Sequence, residues 1–202
     1  FASDPPPSLE IIDPYAYCQQ LTLPKLIINS TGDRFFLPDS SQFYYAALPD
    51  PKYLRYVPNT DHELDASANE TLRSFYAAII ANQPWPEFSW EISEGEKMAI
   101  SAKDMPLEVR LWQASNPTSR DFRLQTIGPA WKSTILEPTR RFGERVEYEV
   151  RLSPPDHGWQ AALMELTFPD PCGVAQSLTL TTGVAVLPDT LPYALDFLKG
   201  AR

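Results

Sequence analysis

Leu23-Pro24-Lys25-Leu26-Ile27-Ile28-Asn29-Ser30-Thr31-Gly32-Asp33 is the stretch whose reading decides the fold. Pro24 cannot donate to a ladder, so it introduces a strand rather than sitting inside one. Leu26, Ile27 and Ile28 do not alternate with polar residues. A short apolar block of this kind is the pattern of a strand covered on both faces of a parallel sheet. Ser30-Thr31-Gly32-Asp33 closes the strand in a polar loop. Asp33 therefore falls just past the C-terminal end of a buried strand, where open α/β sheets gather their functional groups.

Upstream, Asp13-Pro14 reads as an N-cap followed by proline at the first helical position, which predicts a short helix through about Leu21. Before it, Phe1–Glu10 contains three consecutive prolines and is expected to be an extended arm. Downstream, Asp39 and Gln42 have the spacing of a capping box. They predict a second helix with Phe43, Ala46 and Ala47 on its apolar face and Pro49 as its stop. Tyr53–Val57 reads as the next strand and Pro58–His62 as a loop. Ser67 and Glu70 form another capping box for a third helix, with Leu72, Phe75, Ile79 and Ile80 facing inward and Pro84 ending it. This helix–strand alternation predicts an α/β portion over residues 1–85.

After Pro84-Trp85-Pro86 the pattern changes. Phe88–Ile92, Lys97–Ser101, Leu107–Gln113, Thr134–Leu136, Val146–Leu152, Trp159–Phe168 and Leu178–Val186 read as short strands, and Val146, Tyr148 and Val150 alternate with charged residues. Such spacing over about 100 residues predicts an immunoglobulin- or fibronectin-like β-sandwich over 86–202. The expected fold class is α/β, then all-β.

The 202 residues carry a formal charge of −9 and are 43% hydrophobic. A packed core is therefore expected, and nucleic acid is not an expected partner, because an acidic surface repels phosphate backbones. No apolar run reaches the roughly 18 residues of a membrane span. Cys18 and Cys172 show neither metal-ligand spacing nor a disulfide framework, and a bridge between them is not expected. The first residue is Phe1 rather than Met, so the chain is read as a processed product or as part of something longer.

Two residues carry the chemistry. Adjacent parallel strands lie about 4.8 Å apart, so Asp33 and His62, which follow neighbouring strands, come within hydrogen-bond reach. A carboxylate against an imidazole fixes its tautomer and stabilises the imidazolium formed during proton transfer. Acid and then histidine, separated by one strand–helix–strand unit, is also the triad order of α/β-hydrolases. The alternative is that Asp33 caps a turn and His62 is a solvent-facing loop histidine. His157 sits in a tight turn and is not a catalytic candidate. Asp39 is read as an N-cap, Asp61 and Glu63 as solvated, and Asp65 as a possible helix start. Asn69-Glu70-Thr71 and Asn29-Ser30-Thr31 have the glycosylation pattern, the latter inside a buried strand.

At these residues the chain resembles the PhoPQ-activated pathogenicity-related protein family, which is related to autocrine proliferation repressor proteins. The resemblance rests on Ile12–Tyr15, Leu23–Asn29, Thr31–Asp33, Phe36–Phe43, Lys52–Asn59 and Asp61-His62. Arg110–Ala114, Asn116-Pro117 and Arg120–Arg123 extend it. It implies the C-terminal part of an α/β-hydrolase domain followed by a β-sandwich, in a secreted or periplasmic protein. Asp33 and His62 match the family's presumed acid and histidine. The presumed nucleophile is a serine in a Gly-x-Ser elbow, and no such elbow occurs in these 202 residues. The expected function is therefore that of a serine-hydrolase-like protein cleaving an ester or amide bond, with an unknown acyl or peptide substrate. An N-terminal hydrolase segment of the same protein is its expected partner, and no cofactor or metal is expected. The alternative is a non-catalytic secreted signalling or virulence-associated binding protein on a hydrolase scaffold. Trp112, Trp131 and Trp159 are candidates for either sandwich core or binding surface.

Overall fold

The structure, a computed structural model, describes residues 8–93 and 96–190. The proline run of the expected N-terminal arm lies outside the described residues. One helical turn, α1 (Leu9–Ile12), follows it, so the end of that segment is not extended. Asp13 caps the next element as read, its carboxylate accepting the Tyr15 N–H at 2.9 Å, but Pro14–Gln20 winds as a 3₁₀ helix.

Two strands form where expected: β1 (Lys25–Ser30) and β2 (Lys52–Val57) pair in parallel from Lys25 opposite Lys52 to Ser30 opposite Val57. However, β1 is half-buried as far as Asn29 rather than covered on both faces, because β2 is its one neighbour among the described strands. Between them the single expected helix is replaced by two 3₁₀ turns, Ser40–Phe43 and Tyr45–Ala47. Asp39 makes no capping bond there. Its carboxylate accepts the Gln42 side-chain amide and is drawn into a buried ion pair with Arg120, so the capping-box reading is corrected. After β2, helix α2 (Ala66–Ile80) starts one residue before Ser67, because Asp65 accepts the Ser67 N–H at 2.8 Å.

The inward face of α2 also differs from expectation. Ala68, Thr71, Ser74, Phe75 and Ala78 are buried, whereas Leu72 is 49% and Ile80 70% exposed. Small residues let the helix lie close to the sheet beneath. There, the Ser74 hydroxyl donates to Asp170 at 2.6 Å.

Among the described residues the remainder is antiparallel sheet with few helices, and no sheet closes into a barrel. The strands are β3 (Phe88–Ser93), β4 (Lys97–Ala102), β5 (Glu108–Asn116), β6 (Lys132–Ile135), β7 (Arg140–Phe142), β8 (Arg145–Arg151), β9 (Trp159–Phe168), β10 (Leu178–Thr181) and β11 (Ala185–Leu187). A single turn, α3 (Leu124–Ile127), precedes β6. The segment read as one strand over 178–186 is two, both on β9, broken at Thr182-Gly183-Val184. One sheet runs β3-β4-β8-β7 and the other β10-β9-β5-β6. Met98, Ile100, Val146 and Tyr148 from the first meet Val109, Met164, Leu166 and Leu180 from the second in one core.

The parallel pair is welded to the second sheet. Leu54 and Tyr56 share a core with Leu163, Val184 and Val186. The Tyr56 N–H donates to Thr181 Oγ1 at 2.9 Å, and Arg55 pairs with Glu165, both buried. Burial of two opposite charges is costly unless they pair, and this pair ties β2 to β9. No described helix is long and apolar enough to cross a membrane.

Candidate functional site

β1 and β2 end side by side, and the loops that leave them are sewn together. The Gly32 N–H donates to the Thr60 carbonyl at 3.0 Å, and the Gly32 carbonyl accepts the Leu124 N–H at 2.9 Å. A Cβ at residue 32 would stand 2.7 Å from the Thr60 oxygen and 2.9 Å from the Leu124 nitrogen, so only glycine allows this approach. Asn59, with φ of 58°, exchanges two hydrogen bonds of 2.9 Å with the Trp131 backbone. Asparagine tolerates this left-handed conformation better than most residues. The loop carrying His62 is thus anchored on both sides.

The result is a direct contact: His62 Nδ1 lies 2.9 Å from Asp33 Oδ2. Asp33 Oδ1 also accepts the Phe35 and Phe36 N–H groups, at 2.8 and 3.2 Å. Both readings of Asp33 hold in geometry. It caps a turn with one oxygen and meets the imidazole with the other. The Asp33 side chain is 9% exposed and that of His62 48%. An ionised carboxylate only accepts, so Nδ1 carries the proton and Nε2 is the basic nitrogen. Nε2 makes no hydrogen bond among the described residues. Phe35 meets the His62 ring edge-on at 5.1 Å, and Phe36 lies at 6.2 Å.

Asp61 is not merely solvated. Its Oδ1 accepts the His62 and Arg34 backbone N–H groups, and its Oδ2 accepts Arg34 Nε at 3.0 Å. The bond from the Arg34 side chain is the main cause that holds the Asp61 carboxyl below its ordinary value, helped by the His62 N–H. Arg34 reaches on to Glu63 at 2.9 Å. His157 is exposed before β9 and makes no hydrogen bond with Asp33 or His62 among the described residues. Cys18 and Cys172 are both free.

Asp33, but not His62 itself, lines a cleft of about 710 Å³. Residues 33–38 form one wall, and residues 118–123 with Trp159 form the other. This volume is in the range of small-molecule sites. Of the second wall, sequence reading singled out Trp159 as a candidate for core or binding surface, but it did not place residues 118–123 opposite Asp33. Arg120 pairs with Asp39 across 81 residues, and only the Arg120–Arg123 run of the family resemblance pointed to it. Trp131 is core, at 3% exposure, while Trp112 and Trp159 are half-buried.

The sequence agrees with the neighbourhood of these residues. Residues 7–123, which include Asp33, His62 and residues 118–123 of the cleft's second wall but not Trp159, match the profile of the PhoPQ-activated pathogenicity-related protein family, and the chain belongs to that family. Among its relatives is autocrine proliferation repressor protein A of Dictyostelium discoideum. It is 32% identical over 210 residues, covering 91% of this chain. The alignment takes in 42% of that relative, so the chain spans less than half the relative's length.

Proposed function

We propose that residues 1–85 are the C-terminal portion of an α/β-hydrolase domain, that residues 86–202 are an immunoglobulin- or fibronectin-like sandwich, and that the whole protein is a secreted or periplasmic serine hydrolase cleaving an ester or amide bond. The observation that carries this reading is the 2.9 Å contact between His62 Nδ1 and Asp33 Oδ2 at the ends of two neighbouring parallel strands. The fold assignment draws support from the strand orders β3-β4-β8-β7 and β10-β9-β5-β6, which correspond to the two sheets of the immunoglobulin type.

In this reading a serine on a segment outside these 202 residues attacks the carbonyl carbon. His62 Nε2 takes the serine proton, and the imidazolium is stabilised by Asp33. The same proton passes to the leaving alcohol or amine as the acyl-enzyme forms. Water, deprotonated by Nε2, then releases the acid. The preceding segment also covers the outward apolar face of α2, where Leu72, Tyr76, Ile79 and Ile80 are exposed. The test is hydrolysis of short acyl esters and aminoacyl amides by the whole protein and by its His62→Ala variant. Turnover that survives the substitution would sink the triad.

A second reading is a secreted signalling or binding protein that keeps the scaffold without turnover. The name of the Dictyostelium relative, a proliferation repressor, favours it. A whole protein that hydrolyses nothing in the panel, yet binds cells as well with His62→Ala as without, would support it.

A further inference from the structure

The cleft that Asp33 lines, and that reaches His62 through Phe35 and Phe36, has a distinct charge balance. Phe35, Phe36, Leu37 and Pro38 line one side, and Phe122 and Trp159 the other. Phe35 and Phe36 are 69% and 60% exposed, so their rings stand in the opening rather than in the core. They are also the rings that lie against His62. Three arginines belong to the same walls, and each is already neutralised. Arg34 is held by Asp61 and Glu63, Arg120 by buried Asp39, and Arg123 by Asp121. The Arg123 guanidinium is the largest cause holding the Asp121 carboxyl down at about 2, so this pair is charged on both sides at neutral pH. Among the described residues no lysine lines the cleft.

We infer that the cleft is the substrate-binding site for an uncharged apolar acyl or aminoacyl group, and that it discriminates against substrates bearing a carboxylate or phosphate there. A carboxylate entering it would lose water against aromatic walls and find no unpaired cation in return. A neutral aromatic or branched side chain would gain contact with Phe35, Phe36 and Trp159 and displace water. Residues 118–123 and Trp159 come from the sheet-rich part of the chain, so that part supplies one wall of the specificity pocket. The inference rests on the hydrolase reading for placing the reacting bond beside His62, whereas its charge selectivity is measurable as binding alone.

The experiment uses the whole protein carrying His62→Ala, so that no turnover intervenes. Two probes of equal shape are compared at pH 7 by calorimetry or ligand-observed NMR: N-acetylphenylalanine amide, which is neutral, and N-acetylphenylalanine, which is anionic. The amide is expected to bind about tenfold more tightly. Phe36→Ser should weaken the amide, and Asp121→Asn, which leaves Arg123 unpaired, should strengthen the carboxylate severalfold. The proposal is overturned if the carboxylate binds as well as the amide, if neither binds, or if Asp121→Asn leaves the ratio unchanged. Ester hydrolysis by the unsubstituted protein with charge-blind binding would sink this inference and spare the hydrolase reading. Charge-selective binding without any hydrolysis would do the reverse.

Discussion

Gly32 and Thr60 meet backbone to backbone, with the Gly32 N–H 3.0 Å from the Thr60 carbonyl oxygen and no room for a Cβ between the two loops. One residue after this contact stands Asp33, and two residues after it stands His62. The contact sets the distance across which those two side chains bond.

Gly32→Ala should therefore do more than lower stability. Forcing a methyl group 2.7 Å from one carbonyl oxygen pushes the loops apart. The cost is about 1–3 kcal/mol, the range for overpacking. Thermal unfolding should show the loss, and the His62 Nδ1 proton should lose its hydrogen-bonded shift in NMR. An unchanged Tm and an unchanged proton shift would mean that the loops adapt freely.

Asp39 and Arg120 should behave as a buried pair. Arg120→Ala strands a carboxylate that is only 2% exposed and should cost about 3–5 kcal/mol. Asp39→Leu with Arg120→Met should recover most of that. A double-mutant cycle in urea tests it, and additive losses would refute the coupling.

Asn59 contributes through its side chain and its backbone angle. Asn59→Ala loses both bonds to the Trp131 backbone and strains a φ of 58°, and should cost about 1–3 kcal/mol. Asn59→Gly loses the bonds and keeps the angle, so it should be the milder of the two. Equal losses would show that the angle carries none of the cost.

The acid limb of stability should depend on Asp121. Its carboxyl sits at about 2 when folded, below its ordinary value of 3.8, with Arg123 as the first cause. A depressed carboxyl stabilises fully above its unfolded value and loses that contribution as pH falls through the folded one. The stability gap between the protein and its Asp121→Asn variant should thus hold steady above about pH 5 and close between about pH 4 and 2. A gap that stays constant to pH 2 would contradict the pairing with Arg123.

Strands were legible in the sequence because their signals are local. Leu26-Ile27-Ile28 and the alternation at Val146–Val150 need no knowledge of distant residues. Helices before residue 85 were less so, because short segments between prolines wound as 3₁₀ turns at Pro14–Gln20 and Ser40–Phe43. The inward face of α2 was misread because large apolar residues were assumed to turn inward. Instead Ala68, Thr71, Ser74 and Ala78 let it lie close to β10. The closeness of Asp33 and His62 was legible because parallel neighbours put their loops together. The pairing of Arg120 with Asp39, read as an N-cap, was not legible, because a contact across 81 residues leaves no periodic trace.

The most direct test of the central claim avoids any choice of substrate. The whole protein is treated with a fluorophosphonate, which labels a serine only when a neighbouring base activates it. The account predicts covalent labelling of one serine outside these 202 residues, abolished by His62→Ala and strongly slowed by Asp33→Asn. No labelling of the intact folded protein, or labelling that His62→Ala leaves unchanged, would contradict it.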